Sequence, residues 1–266
     1  MSGERELRPL VVFGGGALGN AVARLAAARG APVTVASRHA KEHVGWWRHT
    51  VVGSAAPLGW LPARADVVIA IAPGAREVEA DTWNPALSAW ITRLQALRPA
   101  SVVLTGPIGS GPGFTACAEA LGSAGGAVVR FPALLAAGTG WAGNLAAELR
   151  SGKSPRVSTA LPDARALAAD DAARVVLAAL GENVELTVTG PTRLSAAAVV
   201  EALSARYGVA TRARLFGTGL PKETVVRLQR ELTLPDQWDE SRFGPRLSLS
   251  QWAERLPGPR RRRAEN

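Results

Sequence analysis

Residues 11–38 read VVFGGGALGNAVARLAAARGAPVTVASR, and the order of features in this stretch decides the fold. PLVVF (9–13) is a short apolar run between charge and glycine, and reads as a buried strand. Gly14, Gly16 and Gly19 follow at once in G-x-G-x-x-G spacing. Over residues 18–29 Leu18, Val22, Leu25 and Ala26 share one helical face, Arg24 and Arg29 lie off it, and Gly30 stands where a helix ends. PVTVAS (32–37) is a second strand. In such a strand–turn–helix the first glycine permits the tight turn, the second lets a pyrophosphate approach the backbone, and the third lets helix and strand pack closely. The phosphates meet the positive end of the helix. Gly14, Gly16, Ala17, Leu18 and Gly19 are therefore the predicted dinucleotide-binding residues. The alternative is a glycine turn without a ligand; the second strand at the right distance argues against it.

The end of the stretch bears on which dinucleotide. NAD-preferring sites place Asp or Glu near the end of the second strand, to hold the ribose 2′-hydroxyl. Here that place holds Ser37 and Arg38. A carboxylate repels a 2′-phosphate, whereas a guanidinium and a hydroxyl bind it. The expected cofactor is NADP(H). The alternative for Arg38 is a solvated loop arginine.

Further strands are expected at HTVVG (49–53), ADVVIAIAP (65–73), ASVVLTG (100–106) and GAVVRFPALL (126–135, running into a loop). ADVVIAIAP is apolar on both faces, as in a parallel sheet. NPALSAWITRLQAL, with Pro85 in its first turn, and FTACAEALGSAG read as helices between strands. Alternating strands and helices with short connections predict a doubly wound α/β sheet, the Rossmann arrangement. After residue 135 come helices in GWAGNLAAELRSG, ARALAADDAARVVLAALG and LSAAAVVEALSARYG (Ser195 at its cap), and a strand in NVELTVTGP. Residues 209–256 are more irregular, with KETVVRLQREL and SLSQWAERL among them. The expected organisation is a nucleotide-binding domain over 1–135, a mixed segment over 136–256 that completes the fold and builds a smaller C-terminal substrate lobe, and a basic disordered tail over 257–266.

With 266 residues, 47% of them hydrophobic, the chain can bury a sizeable core. Cys117 is the single cysteine, which excludes an internal disulfide and a cysteine-rich zinc cage. No apolar run approaches the roughly 18 residues of a membrane span. MSGERELRP leads into too short a run for a secretory signal, so a soluble cytoplasmic protein is expected. The net charge of +9 sits partly in Arg260–Arg263, a tail of the kind that is usually solvated. Nucleic acid is not an expected partner, because no basic and aromatic stripe accompanies the tail. The expected partner is a small-molecule substrate, and a homodimer is compatible with this reading.

GGGALG…VASR, ADVVIAIAP, VVRFPALLAAGTG (128–140) and ARALAADDAARVVLAAL (164–180) occur in the order found in the extended and atypical short-chain dehydrogenase/reductases, which this chain resembles over about residues 9–210. AADDAARVV, with Asp171 at its acidic position, resembles a further family stretch. The lobe order is also similar to that of sugar-nucleotide reductases, sugar-nucleotide epimerases and NmrA-like proteins. The resemblance implies that backbone at Ala70, Ala72 and Pro73 lines the cofactor groove and that Pro132 lies near the nicotinamide. It also exposes a departure. The family's proton donor is a Tyr four residues before a Lys, which lowers its pKa. In GPGFTACAEAL those places hold Phe114 and Ala118. Thr105 and Ser110 are the available hydroxyls; either binds a substrate oxygen or serves as a turn residue. The lone tyrosine, Tyr207, reads as a packing residue.

His39, His43 and His49 cluster with Glu42 as the one nearby carboxylate, and a metal is not expected. Asp170 and Asp171 sit at a helix N-terminus, where capping explains them. Several of the eight tryptophans fall in loops that would rim a cleft, which suits an aromatic or large apolar substrate; Trp90 and Trp252 lie in helical patterns and read as packing. The reading is an NADP(H)-dependent oxidoreductase or epimerase-like enzyme without the usual Tyr/Lys acid. A non-catalytic NADP(H) sensor and a non-redox isomerase or cyclase on the same fold are the alternatives.

Overall fold

The computed structural model describes residues 8–37, 48–51, 58–70, 84–108, 112–137, 140–153, 156–158, 163–209, 212–214 and 232–258. Seven strands form its main sheet: β1 (Leu10–Phe13), β2 (Val33–Ser37), β3 (Arg48–Val51), β4 (Asp66–Ile69), β5 (Ser101–Pro107), β6 (Ala127–Phe131) and, late in the chain, β10 (Glu185–Thr187). Their order is β10-β6-β5-β4-β1-β2-β3, and each neighbouring pair is parallel.

Alternation along the strands feeds two cores. Leu10, Val12, Val33, Val35, Val68, Val103 and Val129 face helices α1 (Ala17–Ala28) and α5 (Ala169–Ala178). Val11, Phe13, Val67, Ile69, Val102, Leu104 and Val128 face helices α2 (Asn84–Leu97) and α3 (Pro112–Ser123) and the turn at Leu58. With both faces covered, the central strands are apolar on both sides, and the chain folds as the doubly wound parallel sheet expected from its runs.

The chain then leaves the sheet, returns and leaves again. Helix α4 (Gly140–Arg150), helix α6 (Ala196–Tyr207) and helix α8 (Leu249–Arg255) share a third core containing Leu145, Leu149, Leu203, Tyr207 and Trp252. Small parallel pairs flank it: β7 (Leu134–Leu135) with β9 (Leu167–Ala168), and β8 (Arg156–Ser158) with β11 (Arg212–Arg214). Ser195 caps α6 by accepting from the Ala198 amide at 3.2 Å, and Gly208 ends it in the left-handed region. Between α4 and α6, α5 and β10 rejoin the main sheet; α5 packs along α1.

Asp170 and Asp171 do not cap α5, whose N-cap is Ala168. Asp171 is fully buried and accepts from Arg174 Nη2 at 2.6 Å and from the Leu247 amide at 2.8 Å. Arg174 donates onward to the Phe243 and Pro245 carbonyls, at 2.5 and 2.6 Å. The pair thus fastens the segment carrying helix α7 (Glu240–Phe243) and α8 to α5. The guanidiniums of Arg174 and Arg246 each lie over the Trp238 ring, 5.5 and 5.0 Å from its centroid, and Trp238 meets Phe243 in a T-shaped contact. Asp236 binds Arg246, Arg165 and the Thr189 amide beneath it. Asp171→Ala removes one partner of a buried ion pair and is expected to cost about 3 kcal/mol. Urea unfolding checks this; an unchanged midpoint would show that the segment is held by other contacts.

Candidate functional site

The strand order reverses between β1 and β4, which both point their C-terminal ends to the same edge. The Ala70 amide donates to the Phe13 carbonyl at 2.7 Å and the Gly14 amide to the Ala36 carbonyl at 2.8 Å, so Gly14, Ser37 and Ala70 lie side by side at that edge. This is the switch point at which open α/β sheets bind ligands.

The three motif glycines are glycine for different reasons. Gly14 has φ +115°, which L side chains rarely adopt. A Cβ on Gly19 would stand 1.8 Å from the Gly14 carbonyl oxygen, so α1 reaches the turn only because that atom is missing. Gly16 has φ −77° and ψ −170°, open to any residue, and a Cβ there would meet nothing within 4 Å. Nothing in the folded chain requires glycine at 16; it leaves room above the helix end. Gly16 is the N-cap of α1, with no side-chain cap and no acidic residue in the first turn. The amides of Gly16, Ala17 and Leu18 have no hydrogen-bond partner among the described residues. An open cradle over unbonded amides at the positive end of a helix fits a pyrophosphate. Asn20, which sequence reasoning passed over, donates from Nδ2 to the Gly15 carbonyl at 3.0 Å and ties the turn to the helix.

Pro132 is buried and directly follows β6 at the same edge, where the Ile108 amide donates to the Phe131 carbonyl. Thr105 is buried, and its hydroxyl donates to the Ile69 carbonyl at 3.1 Å, bridging β5 to the end of β4. Arg38, Ala72, Pro73, Ser110, His39, His43, Trp46, Trp47, Trp83, most of KETVVRLQREL and the arginine tail lie outside the described residues, as do the side chains of His49, Trp90 and Trp141.

Phe114 and Ala118 both lie on α3 and are buried in the core it shares with the sheet. The Phe114 ring lies over Gly106 so closely that a Cβ there would be 2.2 Å from its Cζ, and Arg130 covers the ring with its guanidinium 5.0 Å from the centroid. Arg130 is held in turn by Glu185, Nε to Oε1 at 2.9 Å. Tyr207 lies in the third core with its hydroxyl 3.3 Å from the Pro257 carbonyl, and burial pushes the phenol pKa up against the opposing pull of Arg206 and Arg150. Trp252 is a core residue, whereas Trp60 is exposed beside Phe13, with ring centroids 6.0 Å apart. No metal-binding group of three or more His, Cys, Asp or Glu occurs among the described residues. Nor is any of their helices long and apolar enough to cross a membrane.

No protein family and no curated protein matches the chain at the level of sequence. Solved structures do match in fold. An epimerase from Methanothermobacter thermautotrophicus superposes with a TM-score of 0.69 at 12% identity, covering 93% of this chain and 90% of that one. The Bordetella bronchiseptica enzyme WbmH in complex with NAD+ gives 0.65 at 15%, covering 93% and 96%. UDP-glucose 4-epimerase from Brucella ovis in complex with NAD gives 0.63 at 15%, covering 80% and 88%. At these identities the likeness is one of fold: the chain has the Rossmann architecture of these epimerases.

The two tight glycines and the open one separate experimentally. Gly16→Ala is expected to stay within about 1 kcal/mol of the original stability, the ordinary glycine-to-alanine difference. Gly19→Ala and Gly106→Ala force an overlap with the Gly14 carbonyl and the Phe114 ring and are each expected to cost more than about 2 kcal/mol. Denaturant midpoints measure all three; equal losses at 16 and 19 would remove the distinction.

Proposed function

We propose that this chain binds NADP(H) in the crevice between β1 and β4 and uses it to act on a small organic molecule, as an oxidoreductase or epimerase-like enzyme. The observation that carries the reading is the cradle at Gly16, open to any side chain by backbone angle and by space yet occupied by glycine, over the unbonded amides of α1. The preference for the phosphorylated cofactor rests on Ser37 and Arg38, and the fold shared with NAD-bound epimerases supports the dinucleotide class.

A bound nicotinamide would accept or donate a hydride. The chain's own part is positioning. Amides of the glycine turn hold the pyrophosphate, Ser37 and Arg38 take the 2′-phosphate, and the backbone at Ala70, Ala72, Pro73 and Pro132 borders the groove. The proton for a product oxygen does not come from residue 114, because phenylalanine has none to give. The Thr105 hydroxyl already gives its hydrogen to the Ile69 carbonyl and offers the substrate its lone pairs. Ser110 is then the hydroxyl proposed to deliver the proton, with Thr105 orienting the substrate oxygen.

One observation favours a second reading. The buried Phe114 and Ala118 in place of an acid and its lysine suit a protein that binds NADP(H) without turning it over, a sensor, or a non-redox isomerase on this fold.

Fluorescence titration with NADPH and NADH tests the binding claim. Gly16→Val is expected to abolish binding while the protein stays folded. Arg38→Asp is expected to lose about 1.5–3 kcal/mol of NADPH affinity, the scale of a charge-assisted hydrogen bond. Equal affinity of the original chain for both cofactors would defeat the NADP(H) preference. For turnover, NADPH consumption is followed with a panel of small ketones and nucleotide sugars. General acid catalysis is worth roughly 10²–10⁴-fold, so Ser110→Ala is expected to slow consumption at least tenfold and Thr105→Val less. Tight binding with no consumption under any condition would leave the sensor or non-redox reading standing.

A further inference from the structure

The main sheet has a second edge, opposite the one that carries Gly14, Ser37 and Ala70. Its strands enter there side by side. The Leu10 amide donates to the Pro32 carbonyl at 2.8 Å, the Asp66 amide to the Pro9 carbonyl and the Ala100 amide to the Ala65 carbonyl, both at 2.9 Å. β3 starts beside β2, with Arg48 in register with Thr34. Five neighbouring strands, β3, β2, β1, β4 and β5, each bring an arginine to this edge: Arg48, Arg29, Arg8, Arg64 and Arg98, at or within four residues of the strand's start. All five are exposed. At about 4.8 Å between strands the row runs roughly 19 Å. Beyond β5 it stops, since residues 123–126 and 181–184, which lead into β6 and β10, contain no arginine.

We propose that this row is a docking surface for an acidic segment of a partner protein. The side chains of Arg29, Arg48, Arg64 and Arg98 have no hydrogen-bond, ionic or ring partner among the described residues. Arg8 reaches Asp66 at 3.9 Å, where the carboxylate already accepts from Ser101 Oγ at 2.6 Å. Every other arginine whose side chain is described has a partner. The unpaired guanidiniums are thus gathered on one edge. Arg64 and Arg98, at φ +58° and +49°, are also the two non-glycine residues of positive φ among the described residues. That backbone crowds an L side chain and suits glycine. Helix C-termini account for positive charge at Arg29, the C-cap of α1, and at Arg98, which follows α2. They do not account for Arg8, Arg48 or Arg64. Like charges in one row repel within the ~8 Å reach of electrostatics at physiological salt, and carboxylates relieve this through two-pronged bonds to guanidinium. Leu97, 43% exposed next to Arg98, offers such a segment an apolar contact. A single-stranded nucleic acid needs rings on which to stack its bases. Trp60, the exposed aromatic among the described residues, lies instead by Phe13 at the other end of β1. The row is across the sheet from the nucleotide crevice, so the proposal does not depend on the NADP(H) reading.

The test uses the full chain and three fluorescent probes: an octaglutamate peptide, an octathymidylate of similar charge, and vesicles of phosphatidylserine and phosphatidylcholine. At low salt the peptide is expected to bind more tightly than the other two, and to be released as salt rises. Arg64→Gly combined with Arg98→Gly should weaken peptide binding at least tenfold while the thermal midpoint stays level or rises, because glycine suits both backbones. Arg193→Gln combined with Arg255→Gln removes two arginines that are paired elsewhere in the fold. It makes the same change in net charge and should leave peptide binding within about twofold. If the glycine pair does not fold, Arg29→Gln combined with Arg48→Gln, at positions without positive φ, takes its place. The proposal is overturned if the peptide fails to bind, or if the edge and control variants weaken binding alike. It is equally overturned if the oligonucleotide or the vesicles bind more tightly and lose as much in the edge variant, because the partner is then a phosphate polyanion. A midpoint lowered by the glycine pair in a folded protein would give the two arginines a structural role and overturn it too.

Discussion

The approach of α1 to the turn that precedes it governs much of this molecule. Gly19 lies where any Cβ would penetrate the Gly14 carbonyl, and Gly14 takes a backbone angle that suits glycine alone. Those two positions fix how α1 stands on the sheet. Leu18, Val22 and Ala26 then pack against β1 and β2, and α5 packs along α1. Through Asp171 and Arg174, α5 holds the C-terminal segment at Phe243, Pro245 and Leu247. Asp170 adds ion pairs to Arg24 of α1 and Arg255 of α8, which are exposed and contribute little energy. The turn, the helix and the distant C-terminal segment therefore form one chain of dependence, and the turn is where a ligand would touch it.

The second glycine stands outside that structural logic. Gly14 and Gly19 are explained by the fold; nothing in the folded chain asks for glycine at 16. That contrast separates a turn left open from a merely tight one. The acid site shows the opposite situation. At 114 and 118 the space is filled by core: Phe114 lies over Gly106 under the Arg130 guanidinium, and Ala118 faces the sheet. Gly106 makes room for the ring much as Gly19 makes room for a carbonyl. The packing there is built around an aromatic ring, so a phenol at 114 would not by itself make an acid.

Much of the sheet was legible because parallel strands are buried on both faces, which leaves uninterrupted apolar runs at 10–13, 67–70 and 102–104. The glycine spacing was legible because its geometry is local. What escaped was decided at long range. NVELTVTGP yields a strand of three residues, Glu185–Thr187; the Thr187 amide goes to Gln237, fifty positions on, and the Thr189 amide to Asp236. Asp170 and Asp171 look like helix-capping acids until their partners at 24, 174, 247 and 255 are known. Residues 232–247 carry little periodicity, since they are held largely by arginine and aspartate bonds to α5 and β10. Asn20 carried a local signal, a poor helix former just after the last glycine, but its bond to the Gly15 carbonyl exists only in the folded turn.

The central claim is that the amides at the start of α1 receive the cofactor's phosphates. Residue-resolved amide shifts test it most directly: a ¹H–¹⁵N correlation spectrum recorded during NADPH addition. The account predicts that Gly16, Ala17 and Leu18 shift most, with Ser37 and Ala70 following. Saturable NADPH binding that leaves the Gly16, Ala17 and Leu18 amides unmoved would contradict it.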